Sequence, residues 1–119
     1  MKLAELVDIL DLEVRSARDR LDVEVTGGYA SDLLSDVIGN SREGNVWVTL
    51  QIHQNIVAVA NMKDLAGIIL VSDREPEEDT LEKAEKERIP VMVSKLSAFE
   101  LVGRLYGLGI RAAEVENTA

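Results

Sequence analysis

Cysteine is absent from this chain of 119 residues. That excludes disulfides, iron–sulfur clusters, thiolate zinc sites and cysteine nucleophiles, and it accords with a reducing, cytoplasmic setting. Aromatic residues are scarce, with one Trp, one Phe and two Tyr. The core must therefore be aliphatic, and no aromatic platform offers itself for stacking nucleic-acid bases. Positive charge is short as well: 13 Lys and Arg stand against 22 Asp and Glu, a formal net charge of −9. Nucleic-acid binding rests on neutralising phosphates, so this balance argues against DNA and RNA and against anionic membrane surfaces. No apolar run approaches the roughly 20 residues that cross a bilayer. The first twelve residues interleave Lys2, Glu5, Asp8 and Asp11 with apolar positions, the pattern of an amphipathic helix and not of a signal peptide. Neither a GxGxxG nor a GxxxxGKS/T run occurs, which argues against dinucleotide and P-loop triphosphate sites.

What is present is a regular alternation of helix and strand patterns. Leu3, Leu6, Val7 and Leu10 recur at helical spacing, and Arg15 to Arg20 reads as a connection. Leu21, Val23 and Val25 alternate with acids, the period of a strand that ends at Thr26-Gly27-Gly28. Ala30, Leu33, Leu34, Val37 and Ile38 form a helical stripe with Ser31 as a candidate N-cap. Val46 to Leu50 reads as a strand, Asn55 to Met62 as a buried helix and Gly67 to Val71 as a strand covered on both faces. A charged helix over Thr80 to Arg88 and a strand over Ile89 to Val93 follow. Ser97 and Glu100 then form a capping box that opens the last helix. Strands separated by helices pair in parallel through right-handed crossovers. The expected fold is thus an α/β, three-layer α/β/α sandwich with a mainly parallel sheet of about four strands. We expect one domain over residues 1–119, with residues 1–20 an N-terminal helix and connection and residues 111–119 a flexible tail.

In open parallel sheets ligands bind beyond the carboxyl ends of the strands. On this reading those ends are Thr26-Gly27-Gly28-Tyr29, Gln51 to Asn55, Ser72-Asp73-Arg74 and Ser94-Lys95. Gly27 and Gly28 can turn backbone N–H groups toward an anion, or can simply permit a sharp turn. His53, the only histidine, is a candidate base, although a lone histidine before a helix more often caps or packs. Asp32 and Asp36 are one helical turn apart, a spacing that more often marks a solvated face than a metal site. Trp47 suits a core or a dimer contact. Asp73 and Lys95 stand where a response-regulator receiver has its phosphorylated Asp and its Lys. The receiver's acidic pair is missing, however, where Val25-Thr26-Gly27-Gly28 stands.

The segments Val25-Thr26-Gly27-Gly28-Tyr29 through Val37, Val46 to Thr49, His53 to Ala60, and Gly67 to Leu70 followed by Ile89-Pro90-Val91 together resemble the DRTGG-domain family in its short stand-alone form. Such domains accompany catalytic domains in phosphotransacetylases and in CBS-containing pyrophosphatases, and they look like the N-terminal domain of HPr kinase/phosphorylase. The resemblance implies a three-layer α/β fold, self-association and a regulatory role without catalysis. One departure is plain: relatives commonly carry Thr-Gly-Gly after the third strand, and this chain carries Val71-Ser72-Asp73-Arg74. There Asp73 would repel a phosphate unless Arg74 or Lys95 offsets it. The expectation is a non-catalytic homodimer that senses a small anionic ligand such as a nucleotide. Its contacts would be Gly27, Gly28, Tyr29, His53, Asn55, Ser72 and Arg74. No catalytic residue, metal or cofactor is expected. The competing readings are a ligand-free interaction module docked on a partner enzyme or sensor kinase, and a small hydrolase or phosphotransfer enzyme using His53 with Asp32 or Asp73.

Overall fold

The computed structural model describes residues 1–112. Five strands form one sheet: β1 (Glu13–Val14), β2 (Gly27–Ala30), β3 (Asn45–Thr49), β4 (Gly67–Leu70) and β5 (Val91–Val93), in the order β1-β5-β4-β3-β2. From β2 to β5 each strand lies parallel to the next, whereas β1 pairs antiparallel with β5. The helices are α1 (Leu3–Leu10), α2 (Leu34–Asn40), α3 (Asn55–Met62), α4 (Glu78–Glu87) and α5 (Ala98–Gly107).

From β2 to β5 consecutive strands are neighbours, so successive crossovers of one hand place α2, α3 and α4 on the same face. There Val37, Ile56, Val57 and Ala84 pack on Trp47, Ile68, Leu70, Val91 and Val93. The opposite face is covered by α1 and α5, through Leu3, Leu6, Leu10, Leu101 and Leu105 against Val46, Val48, Ile69 and Met92. The alternation along β3 and β4 thus feeds two aliphatic cores, as a doubly covered sheet requires. The three-layer sandwich is the expected one, with five strands in place of four.

Three local readings are corrected. Residues Leu21 to Val25 form no sheet strand. They run beside the amino terminus: the Leu3 and Ala4 N–H groups donate to the Val23 and Leu21 carbonyls at 3.0 and 2.8 Å, and Val25 N–H donates to the Met1 carbonyl at 2.9 Å. The alternating apolar pattern is satisfied there because Val23 and Val25 still face the α1 core. The strand is instead Gly27–Ala30, so the stripe assigned to a helix from Ala30 begins four residues late, at Leu34. Ser31 is not its N-cap; the Ser31 hydroxyl accepts from the Leu33 N–H at 3.1 Å.

The fifth strand, β1, is two residues long and carries one buried side chain, Val14, too little for a periodic signal. Its hold on the sheet is polar. The buried Ser16 hydroxyl donates to the Ile89 carbonyl at 2.7 Å and accepts from the Val91 N–H at 2.9 Å. Ser16→Ala would leave both backbone groups buried without partners, at about 1–3 kcal/mol. Urea denaturation is expected to show that loss, and a change within error would refute the role given to the hydroxyl.

The expected tail, residues 111–119, falls outside the described residues except for Arg111 and Ala112. Arg111 is held: its carbonyl accepts from the Gly28 N–H at 3.0 Å along the outer edge of β2.

Candidate functional site

The carboxyl ends of β3, β4 and β5 open onto one rim. Hydrogen bonds lace two of its loops together: the Ser72 N–H donates to the Leu96 carbonyl at 2.7 Å and the Asp73 N–H to the Ser94 carbonyl at 2.8 Å. Ser72-Asp73-Arg74 therefore lies beside Ser94-Lys95-Leu96. Val71 to Arg74 is a tight turn closed by an Arg74 N–H bond to the Val71 carbonyl at 3.2 Å. Its two central residues, Ser72 and Asp73, have φ of +56° and +57°. That left-handed backbone suits glycine and is costly for a side chain. The loop thus has a glycine-like shape although its glycines are missing. Ser72→Gly is expected to stabilise the fold by about 0.5–1 kcal/mol, the relief of Cβ strain exceeding glycine's extra unfolded-state freedom. The readout is the thermal midpoint; a fall would show that the turn is held by the serine itself.

The rim carries its charge unevenly. Among the described residues Arg74 and Lys95 make no ion pair, and both are exposed. Asp32, at the end of β2, is committed: its Oδ1 accepts from the Thr49 hydroxyl at 2.8 Å and from the Leu50 N–H at 2.7 Å. Next to it a cleft of about 200 Å³ is lined by Ser31, Asp32, Thr49, Leu50, Val71 and Ala98, among others. His53 and Asn55 stand at the start of α3, exposed. The His53 Nδ1 lies 2.7 Å from Glu77 Oε1, which ties that loop to the start of α4. Glu75 binds Arg15 through two bonds of 2.8 Å. That guanidinium holds the Glu75 carboxyl below its ordinary value.

The structure splits the expected contact set. His53, Asn55, Ser72 and Arg74 belong to the rim. Gly27 and Gly28 do not, because they begin β2 instead of ending a strand, and they pair with Asn45 and Val46 at the opposite end of the sheet. The Gly28 N–H, offered in the sequence reading to an anion, is spent on the Arg111 carbonyl. Tyr29 points its hydroxyl at Asp36, donating to Oδ2 at 2.8 Å. That bond lowers the Asp36 carboxyl and raises the Tyr29 phenol relative to their usual values. Asp32 and Asp36 thus serve different bonds. Sequence reasoning missed Asp32 as a rim residue because its strand was placed five residues early.

The shift of the first parallel strand to Gly27–Ala30 also moves the place that corresponds to a receiver's acidic pair. The end of β2 does carry an acid, Asp32, but β3 lies between that strand and β4, which leads into Asp73. Asp32 is also bound to β3. Among the described residues no group of three or more acidic or histidine side chains gathers at Asp73 to hold a cation.

No protein-family model and no curated protein matches the chain. Among solved structures it is similar to the CBS and DRTGG domains of the regulatory region of Clostridium perfringens pyrophosphatase, determined in complex with the activator diadenosine tetraphosphate. The TM-score is 0.71 at 16% identity, over 99% of this chain and 52% of that one. The chain spans about half the length of that regulatory region, and the likeness is one of fold.

Proposed function

We propose that this chain is a non-catalytic regulatory domain of the DRTGG kind that binds a small anionic ligand, a nucleotide, at the carboxyl rim and acts as a homodimer. The observation that carries the reading is the pair of exposed cations, Arg74 and Lys95, without ion pairs among the described residues, on two loops that backbone bonds hold side by side. Together they outnumber Asp73 on the same turn, in a chain whose formal charge is otherwise strongly negative, and net charge is not local potential. Ser72 and Asn55 add hydrogen-bonding groups, and the Asp32 cleft adds a recess beside them. The fold's likeness to a regulatory region that binds a dinucleoside polyphosphate supports the ligand class. The glycines of β2 leave the contact set.

Calorimetry with ATP, ADP, AMP, diadenosine tetraphosphate and inorganic phosphate tests this. At least one nucleotide is expected to bind and to be recovered unchanged. Arg74→Ala with Lys95→Ala is expected to weaken it tenfold or more, since charge-assisted bonds contribute about 1.5–3 kcal/mol each. Silence from the whole panel would sink the reading. A docking module for a partner enzyme or sensor kinase is a second reading, favoured by the exposed apolar side of α5; nucleotide binding that depends on Arg74 and Lys95 separates the two.

A further inference from the structure

Asp32 is held on two sides and still has an oxygen to spare. Its Oδ1 takes both the Thr49 hydroxyl and the Leu50 N–H, and its backbone carbonyl accepts from Gln51 Nε2 at 3.0 Å. Oδ2 accepts no hydrogen bond among the described residues, and Asp32 is exposed. An ionised carboxylate offers acceptors only, so the fold presents one fixed acceptor with no donor of its own. The cleft beside it has apolar walls in Ala30, Val48, Val71 and Ala98. The Thr49 hydroxyl that also lines it is engaged, donating to Asp32 and accepting from the Gln51 N–H at 3.1 Å. No cation is among the described residues of the lining. The cleft's volume of about 200 Å³ is below the roughly 300–1,000 Å³ of a pocket that encloses a whole small molecule. It admits one ring system and leaves the rest of a ligand outside.

We infer that this cleft takes the base of the nucleotide, and that Asp32 Oδ2 selects a base carrying an exocyclic amine, adenine. The inference rests on the nucleotide reading above and gives the ligand a direction and a base. Charge sets the direction. A phosphate beside the Asp32 carboxylate meets repulsion, and beside Arg74 and Lys95 it meets attraction. The two ends are neighbours. Val71 lines the cleft, and its carbonyl accepts from the Arg74 N–H at 3.2 Å; Ala98 lines it shortly after Lys95 in the chain. The turn itself has no backbone donor left for a phosphate, because the Ser72, Asp73 and Arg74 N–H groups are spent on the Leu96, Ser94 and Val71 carbonyls. The phosphate contact therefore falls to the cationic side chains. Chemistry sets the base. The amine of adenine donates to a carboxylate oxygen, whereas a ring carbonyl at the same place sets acceptor against acceptor. The apolar walls suit the faces of the ring.

Calorimetry with matched pairs is the test: AMP against IMP, ADP against IDP and ATP against ITP, where hypoxanthine carries a carbonyl in place of adenine's amine. The adenine member of each pair that binds is expected to bind about tenfold or more tightly, the weight of one hydrogen bond to a charged group. Asp32→Asn is expected to reverse the order. Its Oδ1 still receives Thr49 and Leu50, which fix the amide so that Nδ2, a donor, stands in the place of Oδ2. Equal affinities in the wild type, or an unchanged preference in the folded variant, would overturn the inference. The regulatory reading would survive either result if binding still depended on Arg74 and Lys95. Silence from every nucleotide would remove both. If Asp32→Asn does not fold, photolabelling of the wild type with 8-azido-AMP decides. Label is expected within residues 30–32 or 48–50, around the cleft, and label confined to other segments would overturn the inference.

Discussion

Trp47→Ala is expected to lower the unfolding free energy by about 3–5 kcal/mol, the range for deleting a large buried aromatic. That is a large part of the stability of any domain of this size. Trp47 is the largest of the fully buried side chains, on β3 between β2 and β4. It packs among Val37, Ile56 and Val57, side chains fixed by the close packing of α2 and α3. Its Nε1–H donates to the Ser31 carbonyl at 2.8 Å. Alanine would therefore open a cavity and leave that carbonyl without its donor. Trp47→Phe keeps most of the volume and loses the bond, so it is expected to cost less. Urea denaturation of the three proteins separates packing from hydrogen bonding. A loss below about 1 kcal/mol for alanine would mean that the helices can collapse into the space.

Gly27→Ala is the second large effect, with an expected loss of about 2–3 kcal/mol from overpacking against a backbone group that cannot swing aside. A Cβ at Gly27 would stand 2.5 Å from the Arg111 carbonyl oxygen and 3.2 Å from Asn45 Nδ2. Either β2 or the chain at Ile110 and Arg111 must move. Ile110 belongs to the core under α5, so moving it disturbs packing as well as the bond to Gly28. Hydrogen exchange at the Gly28 N–H is expected to accelerate together with the stability loss. Unchanged exchange and stability would show that the carboxyl-terminal crossing is loosely held.

These two positions also show what the sequence could reveal. Trp47 lies in a run of β-branched neighbours, and its strand was legible because burial on both faces leaves a composition signal. The same holds for β4, α3 and α5, whose periodic or continuous apolar patterns dominate their windows. Gly27 and Gly28 misled for a physical reason. A glycine pair commonly marks a turn, and here it marks a close approach of the chain from more than eighty positions away, which local patterning does not encode. The alternation of Leu21, Val23 and Val25 was real, but its partner was the amino terminus and not the sheet. That five-residue displacement hid Asp32 at a strand end and moved two of the expected contacts to the wrong end of the molecule. At β4 and β5 the strand ends were placed correctly, so Ser72 and Arg74 fall on the rim as expected contacts, and Lys95, read only as a strand-end residue, lies beside them. Their union depends on backbone bonds between two loops, which no residue pattern announces.

One face of the sheet is closed by helices that lie between consecutive strands, the other by α1 and α5 from opposite ends of the sequence. During synthesis on the ribosome the first face can assemble stepwise as each strand–helix unit emerges. The second can be only half closed, by α1, until α5 has left the exit tunnel, so Val46 and Val48 on β3 wait as a sticky aliphatic surface after every strand of the sheet has been made.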